Sequence, residues 1–462
     1  MQQENKMGIM PVKKLVLNMS LPMMASMLVQ ALYNIVDSIF VSQLSEQALT
    51  AVSLAFPAQN LMIGLASGMG VGMNALLSRA LGARDHARAK KAAENGLILA
   101  VIGSVIFLFF GLFLVRPFFA AQTTDERIIE MGVQYLSICC CLSQAVFLAI
   151  TFERFLQSTG RTFYTMITQG TGAIVNIVMD PICIFVLDMG ITGAAVATVA
   201  GQVVSMSLAI YFNHTKNPEV HVRFRTIRPD FRMMWQIVRI GFPSVIMMAI
   251  GSVMTFCMNK ILILYTAGKE TAATVFGVYF KLNSFVFMPV FGLNNGVVPI
   301  VAYNYGAQNR RRMMETIRFS VTISVSVMIV GMIIFELFPV QLLSIFEASD
   351  NMMAIGVPAL RIIGTTFPFA GVSIILGTVF QALGKSVYSM TNSFLRQLVA
   401  LIPSAYVLAR IGMQIGNHDL VWWSYPIAEV VSLVATMVFF SIVYRKIIKP
   451  IPEDGMSLSE QA

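Results

Sequence analysis

GMGVGMNALLSRALGARDHARAKKA, residues 68–92, and GLNNGVVPIVAYNYGAQNRRRMMET, residues 292–316, align without a gap: Gly68, Gly72, Gly82 and Ala83 fall on Gly292, Gly296, Gly306 and Ala307. The shift is 224 residues, from 68 to 292, and the same shift pairs QSTGRTFYTM from Gln157 with QALGKSVYSM from Gln381. Two matches at one offset mean that the chain is built twice. Each copy leaves a long apolar run through a basic segment, as a helix does when it emerges from a bilayer on the side that retains Lys and Arg.

Of the 462 residues, 56% are hydrophobic and 12% charged, about half the charge of an ordinary soluble domain. About 20 apolar residues span the hydrocarbon core. By that measure six spans lie near 15–41, 51–78, 96–115, 131–152, 163–187 and 191–212, and six more near 236–264, 272–303, 319–338, 353–380, 387–409 and 420–444. Lys13 and Lys14 precede the first as in a signal peptide, but its length and the lack of a small-residue cleavage site mark an uncleaved span. The loops RALGARDHARAKK, YNYGAQNRRRMME and HTKNPEVHVRFRTIRPDFR are basic, whereas QLSEQ, TTDERIIE and FEASD are sparse or acidic. The basic set is expected in the cytoplasm, with both termini, in a multi-pass protein of the cytoplasmic membrane.

An even number of spans per copy gives the two halves one orientation and relates them by an axis along the membrane normal. The expected fold is therefore all-α, about twelve transmembrane helices in two pseudo-symmetric six-helix lobes. The lobes take residues 1–213 and 236–445, with a cytoplasmic linker at 214–235 and a tail at 446–462. The net charge of +9 sits in short loops, which argues against nucleic acid. Five cysteines within apolar runs have no metal-ligand spacing and read as packing residues. LGKS at Leu383 is no phosphate loop, since Val379 stands where the first glycine belongs; STGR and LGKS read instead as turns between helices. Gly64, Gly68 and Gly72 sit four apart, a spacing for close helix packing. No cofactor is called for, and a monomer is expected.

In VNIVMDPICIF, residues 175–185, an amide, an acid and a proline interrupt an apolar run. An ionisable residue at mid-bilayer costs about 2.5–3.5 kcal/mol on insertion scales, so Asp37 and Asp180 need a reason beyond stability. Measured along their spans at about 1.5 Å per residue, Asp37, Asp180 and Thr198 lie at one depth. Asn176 and Asp180 share a helix face, as do Tyr33 and Asp37. Pro181 lacks an N–H, which leaves the Ile177 carbonyl free one turn back. Oxygen ligands of this kind suit hard cations, so Asp37, Asn176, Asp180 and Thr198 are read as a site for a proton or Na⁺. Gln30, Tyr33 and Asn34 are read as substrate-contacting or supporting positions. Taking a carboxylic acid out of water favours its protonated form and a bound cation favours its ionised form, which couples cation entry to release of a cationic cargo. In the second lobe Lys260, Lys281, Arg361 and Arg396 stand inside apolar runs, with Glu429 as the acid, and a structural charge cluster of Lys281, Arg361 and Glu429 is expected.

The two-lobe repeat, LPMMASMLVQALYNIVDSIFVSQL from Leu21 and NIVMDPICIF from Asn176 resemble the multidrug and toxic compound extrusion (MATE) family of the MOP superfamily, in particular its DinF-like and MepA-like branch. The resemblance covers nearly the whole chain. It implies a cation site made by an aspartate of the first helix, an Asn and Asp of the fifth and a threonine of the sixth, positions matched by Asp37, Asn176, Asp180 and Thr198. The NorM-like branch has acids in the seventh and tenth helices, where this chain has Lys260 and Arg361, so a second coupling site in that lobe is not expected. The resemblance also implies a secondary active transporter, not an enzyme, that exports organic cations and drugs by H⁺ or Na⁺ antiport as one lobe rocks against the other. A lipid-linked oligosaccharide flippase of the same superfamily is the alternative, its anionic cargo suiting the basic second lobe. An intramembrane aspartyl protease, the remote alternative, lacks its GxGD signature here.

Overall fold

A computed structural model describes residues 5–220, 228–265, 270–346 and 348–453. The first half comprises the short α1 (Lys6–Ile9), α2 (Val12–Leu44), α3 (Glu46–Gly82), α4 (His86–Phe109), α5 (Val115–Ala120), α6 (Glu126–Cys141), α7 (Gln144–Ser158), α8 (Thr162–Pro181) and α9 (Gly190–Lys216). The second comprises α10 (Phe231–Tyr265), α11 (Glu270–Gly306), α12 (Arg310–Leu337), α13 (Pro339–Ser344), α14 (Asp350–Gly364), α15 (Phe367–Ala382), α16 (Ser386–Phe394), α17 (Ile402–Ile415) and α18 (Ser424–Val443). Among the described residues ten helices are long and apolar enough to cross a membrane, or twelve when the pairs α6–α7 and α14–α15, bent by 43° and 50°, each count as one span. Outward-facing apolar side chains such as Phe109, Leu112, Phe113 and Val186 are exposed. That is tolerable because backbone groups are satisfied within each helix and the surroundings are hydrocarbon. The linker's residues 221–227 and the tail's 454–462 lie outside the described residues.

The repeat is visible in backbone conformation. Arg84 and Gln308, 224 residues apart, both have positive φ (57° and 52°). Each is followed by a capping side chain, Asp85 accepting from the Arg88 N–H and Asn309 from the Arg312 N–H. Gly160 and Gly384, again 224 apart, turn the chain at φ 82° and 71°, a region that glycine enters without penalty. The turn reading of STGR and LGKS therefore holds.

The glycines aligned between the copies pack helices, and they do so across the lobes. Here α3 lies along α10, and α11 lies along α2. At one end of the molecule α3 and α11 cross reciprocally. A Cβ added to Gly82 would stand 1.9 Å from the Tyr303 carbonyl oxygen, and one on Gly306 would stand 2.0 Å from the Arg79 carbonyl oxygen. Residues 79 and 303 are themselves repeat partners, so this contact is self-complementary in the way of a two-fold interface. The Arg79 guanidinium, 4.4 Å from the ring centroid of Tyr305, reinforces it. The two lobes are thus sealed backbone to backbone at the end that carries the basic loops, called the basic end below.

Both described chain ends gather there. Arg312 donates to the Met7 and Met10 carbonyls (3.0 and 2.7 Å), and Arg310 pairs with Glu453 (3.0 Å). On the other lobe Asn5 donates to Glu219 (2.7 Å) and to the Thr159 carbonyl (3.3 Å). With Met7 fully buried, α1 is a strap across the seal. Burial, with Arg161 adding repulsion, brings the Lys6 amine down from 10.5 to about 8. A lysine whose value is lowered on docking favours docking once it is neutral, so attachment of the strap should tighten as pH rises from about 8 to 10.5 and be constant below 8. A spin label at exposed Ile9 should lose mobility across that window, and Arg312→Ala should leave it mobile at every pH.

Candidate functional site

The first lobe brings Asp37, Asn176, Asp180 and Thr198 together. Asp180 is fully buried and Asn176 nearly so, because α8 turns its polar face inward, with Thr162, Thr165, Thr168, Gly172, Asn176 and Asp180 as its buried residues. With its amide oriented to suit both neighbours, Asn176 donates to Asp180 Oδ2 (3.2 Å) and accepts from the Thr198 N–H (3.1 Å). The carboxyl groups of Asp37 and Asp180 are within hydrogen-bonding reach of each other. One oxygen of each, Oδ1, is buried and receives no hydrogen bond. Two acids in contact, each with an unsatisfied oxygen, demand a positive charge between or beside them. Beyond Pro181 the helix changes to a π turn at Ile182–Val186, as befits a residue with no N–H to give.

Tyr33 lies beside both acids. Gln30 and Asn34, expected with it, are exposed positions of α2. Sequence reasoning missed the other wall. Gln59 of α3 donates to the Tyr135 hydroxyl (3.1 Å) and approaches Cys139 Sγ (3.8 Å), and Tyr135 stands close to Asp37 and Tyr33. A helix-spaced search from the acids could not find these residues, since α3 and α6 reach the site only through the tertiary fold. Glu153 was missed too. It lies beyond the apolar run assigned to 131–152, yet α7 continues to Ser158, and Glu153 is buried, accepting from Thr168 (3.0 Å) and Gln169 (2.7 Å).

Among the described residues no group of three or more His, Cys, Asp and Glu could hold a metal ion. A two-carboxylate, amide and hydroxyl set with two orphan oxygens fits a proton or a hard monovalent cation.

The expected charge cluster of the second lobe requires correction. Glu429 pairs with Arg396 (2.8 Å), and no described ion pair joins it to Lys281 or Arg361. Lys281 and Arg361 are exposed, and the Lys281 ammonium lies 5.9 Å from the ring centroid of Phe346. Depth alone did not fix which helix faces meet. Subtracting 224 from 396 and 429 leads to Gly172 and Ser205, which touch in the first lobe. The same shift takes Asn176 and Asp180 to Ala400 and Ser404, so the second lobe keeps the frame of the site without its acid.

A family model described as MatE matches residues 22–182 and 243–407, one copy in each lobe. Among curated relatives, the multidrug export protein MepA of Staphylococcus saprophyticus is 26% identical over 423 residues, covering 91% of this chain and 92% of the relative. MepA of Staphylococcus aureus strain MRSA252 is 26% identical over 429 residues, 92% and 93% of the two chains. The outward-facing conformation of a multidrug resistance MATE family transporter of the MOP superfamily superposes with a TM-score of 0.90 at 25% identity, over 97% of this chain and 99% of that one. A MOP superfamily transporter from Pyrococcus furiosus, described as having a binding pocket of reverse polarity, gives 0.89 at 25% identity with the same coverage.

Proposed function

The chain belongs to the MatE family of membrane transporters, and from that premise we propose that it exports organic, cationic drugs by antiport against H⁺ or Na⁺, as a monomer with the basic end in the cytoplasm. The observation that carries the coupling reading is the contact between Asp37 and Asp180, closed by Asn176 and Thr198. Two buried carboxyl groups hold two negative charges only when cations accompany them. Binding a proton or Na⁺ from outside discharges the pair and removes its attraction for a cationic cargo, and loss of that ion inside restores it. Each ligand changes the free energy of the other, which is what antiport requires.

The side of the membrane follows from the basic loops, which are retained in the cytoplasm. Alternation is a rocking of one lobe on the other: the seal at the basic end parts while the opposite end closes. The export of drugs by the MepA relatives supports the cargo class.

The test is efflux of a cationic dye from vesicles carrying the purified protein, driven first by a pH gradient alone and then by a Na⁺ gradient alone. Dye movement with either gradient, absent with neither, is the expected result. Movement of an anionic lipid-linked sugar in place of dye would favour the flippase reading, for which the exposed Lys260, Lys281 and Arg361 would supply the attraction.

A further inference from the structure

The acid pair is not an isolated polar spot. Three helices carry polar side chains from it towards the basic end, each at helical spacing. On α2 they are Asp37, Tyr33 and Ser26; on α8, Asp180, Asn176 and Gln169; on α9, Thr198, Gln202 and Ser205. The spacings on α2 and α8 are the same, four and then seven residues, so both runs keep to one helix face. These helices pack on one another, α8 against both α2 and α9. Ser26 donates to the side-chain amide oxygen Oε1 of Gln169, and Ser205 to the Thr168 backbone carbonyl (3.0 Å). Gln202 Oε1, between Thr198 and Ser205, is buried with no hydrogen bond.

The seam ends on Glu153. Glu153 is 5% exposed, and its carboxyl group takes one hydrogen bond on each oxygen, from Thr168 and Gln169. The charged group beside it is Arg154. That guanidinium is committed elsewhere, to Gln157 (2.8 Å) and, across the lobe interface, to Asn295 (2.9 Å). The acid is therefore buried without a salt bridge among the described residues. An amide of the same shape could accept from Gln169 and donate to the Thr168 hydroxyl, which is itself placed to donate to the Thr165 carbonyl, without the cost of burying a carboxylate, so the acid at this position points to use of its ionisation.

We propose that Glu153 is a second proton-binding carboxylate, joined to the Asp37–Asp180 pair by this seam, which receives the coupling proton on its way to the basic end. Gln169 and Asp180 are eleven residues apart, about 16 Å along the helix. That distance is too long for direct transfer but is lined by groups that can order water. In the step the O–H bond at the aspartate pair breaks and an O–H bond forms at Glu153. One H⁺ moves, nothing is oxidised or reduced, and Glu153 then releases the proton to the cytoplasmic side. Glu153 suits a proton better than Na⁺, because both its oxygens already have partners and Na⁺ needs several more ligands turned one way.

The inference rests on the coupling reading above, and the experiment separates the two. Glu153→Gln, Glu153→Asp and Gln169→Leu are purified full-length and reconstituted beside wild type and Asp37→Asn. Dye affinity and the rate of pH-gradient-driven efflux are measured across pH on the cytoplasmic side. Glu153→Gln should bind dye within about twofold of wild type, lose about tenfold in proton-driven efflux, and show a flattened pH profile. Glu153→Asp should keep a pH-dependent profile with a moved midpoint, and Gln169→Leu should lower the rate with the profile retained but displaced. An unchanged profile in Glu153→Gln, or a uniform loss at all pH in every variant, would overturn the proposal while leaving the Asp37 result standing. If wild type shows no proton-driven efflux, or Asp37→Asn retains it, the coupling reading falls and this inference falls with it. Should Glu153→Gln fail to fold, Glu153→Asp and Gln169→Leu decide by the same criterion.

Discussion

Replacing either Asp37 or Asp180 by Asn should reduce efflux of a cationic dye from cells by at least about tenfold while leaving the amount of inserted protein unchanged. The reason lies in what Asn can and cannot do. It fills the same volume and can still hydrogen-bond its neighbour, so packing of α2 against α8 survives. It cannot take up or release a proton, and it offers no charge to a cation. Each acid has one oxygen with no hydrogen-bond partner, and the substitution removes the charge that this oxygen would offer a coupling ion. Because the carboxyl groups touch, the double variant should cost little more than either single one; residues that act as a unit are non-additive. Asn176→Ala should be milder, since Asn176 carries no charge of its own and the two acids remain, although Asp180 and the Thr198 backbone lose a partner. Dye accumulation in intact cells, set against membrane content by immunoblot, is the measurement. Wild-type efflux in both single variants would remove the acids from the mechanism.

How much of this was legible in the sequence depends on the range of the interaction. The spans, the repeat and the acids were legible because hydropathy and helical spacing are local, and the depth argument worked for Asp37, Asp180 and Thr198 because rise per residue is constant. It failed for Glu429. Three residues at one depth can still face three directions, and rotation about a helix axis decided for Arg396. Glu153 escaped because a charge reads as the end of an apolar run, whereas here the charge is met by Thr168 and Gln169 from the next helix. Gln59 and Tyr135 carried no signal at all until α3 was placed against both α2 and α6. The glycine pattern was read correctly as close packing, but whether the partner lay in the same lobe or the other one was not encoded in the spacing.

That last distinction carries the second large effect. The aligned glycines at 82 and 306 serve one contact, which the rocking proposed above would have to break, so on that proposal a methyl group there should act on the equilibrium between conformations rather than on folding of either lobe. With a Cβ 1.9 or 2.0 Å from a carbonyl oxygen of the opposing helix, the obstacle is backbone and cannot swing aside. Overpacking of this kind costs about 1–3 kcal/mol, which lowers the sealed-to-open ratio by roughly 5- to 150-fold. Gly82→Ala and Gly306→Ala should therefore each lengthen the distance between spin labels on the basic-end turns 83–85 and 307–309, and dye efflux should fall because the sealed state is populated less. The two substitutions open the same contact, so combining them should add less than their sum. Gly170→Ala is the control, since nothing lies within 4 Å of a Cβ there and the label distance should stay at its wild-type value. If instead Gly82→Ala and Gly306→Ala leave the distance unchanged, the crossing of α3 and α11 yields easily and is not what holds the lobes shut; the strap formed by α1 and Arg312 would then have to bear that role.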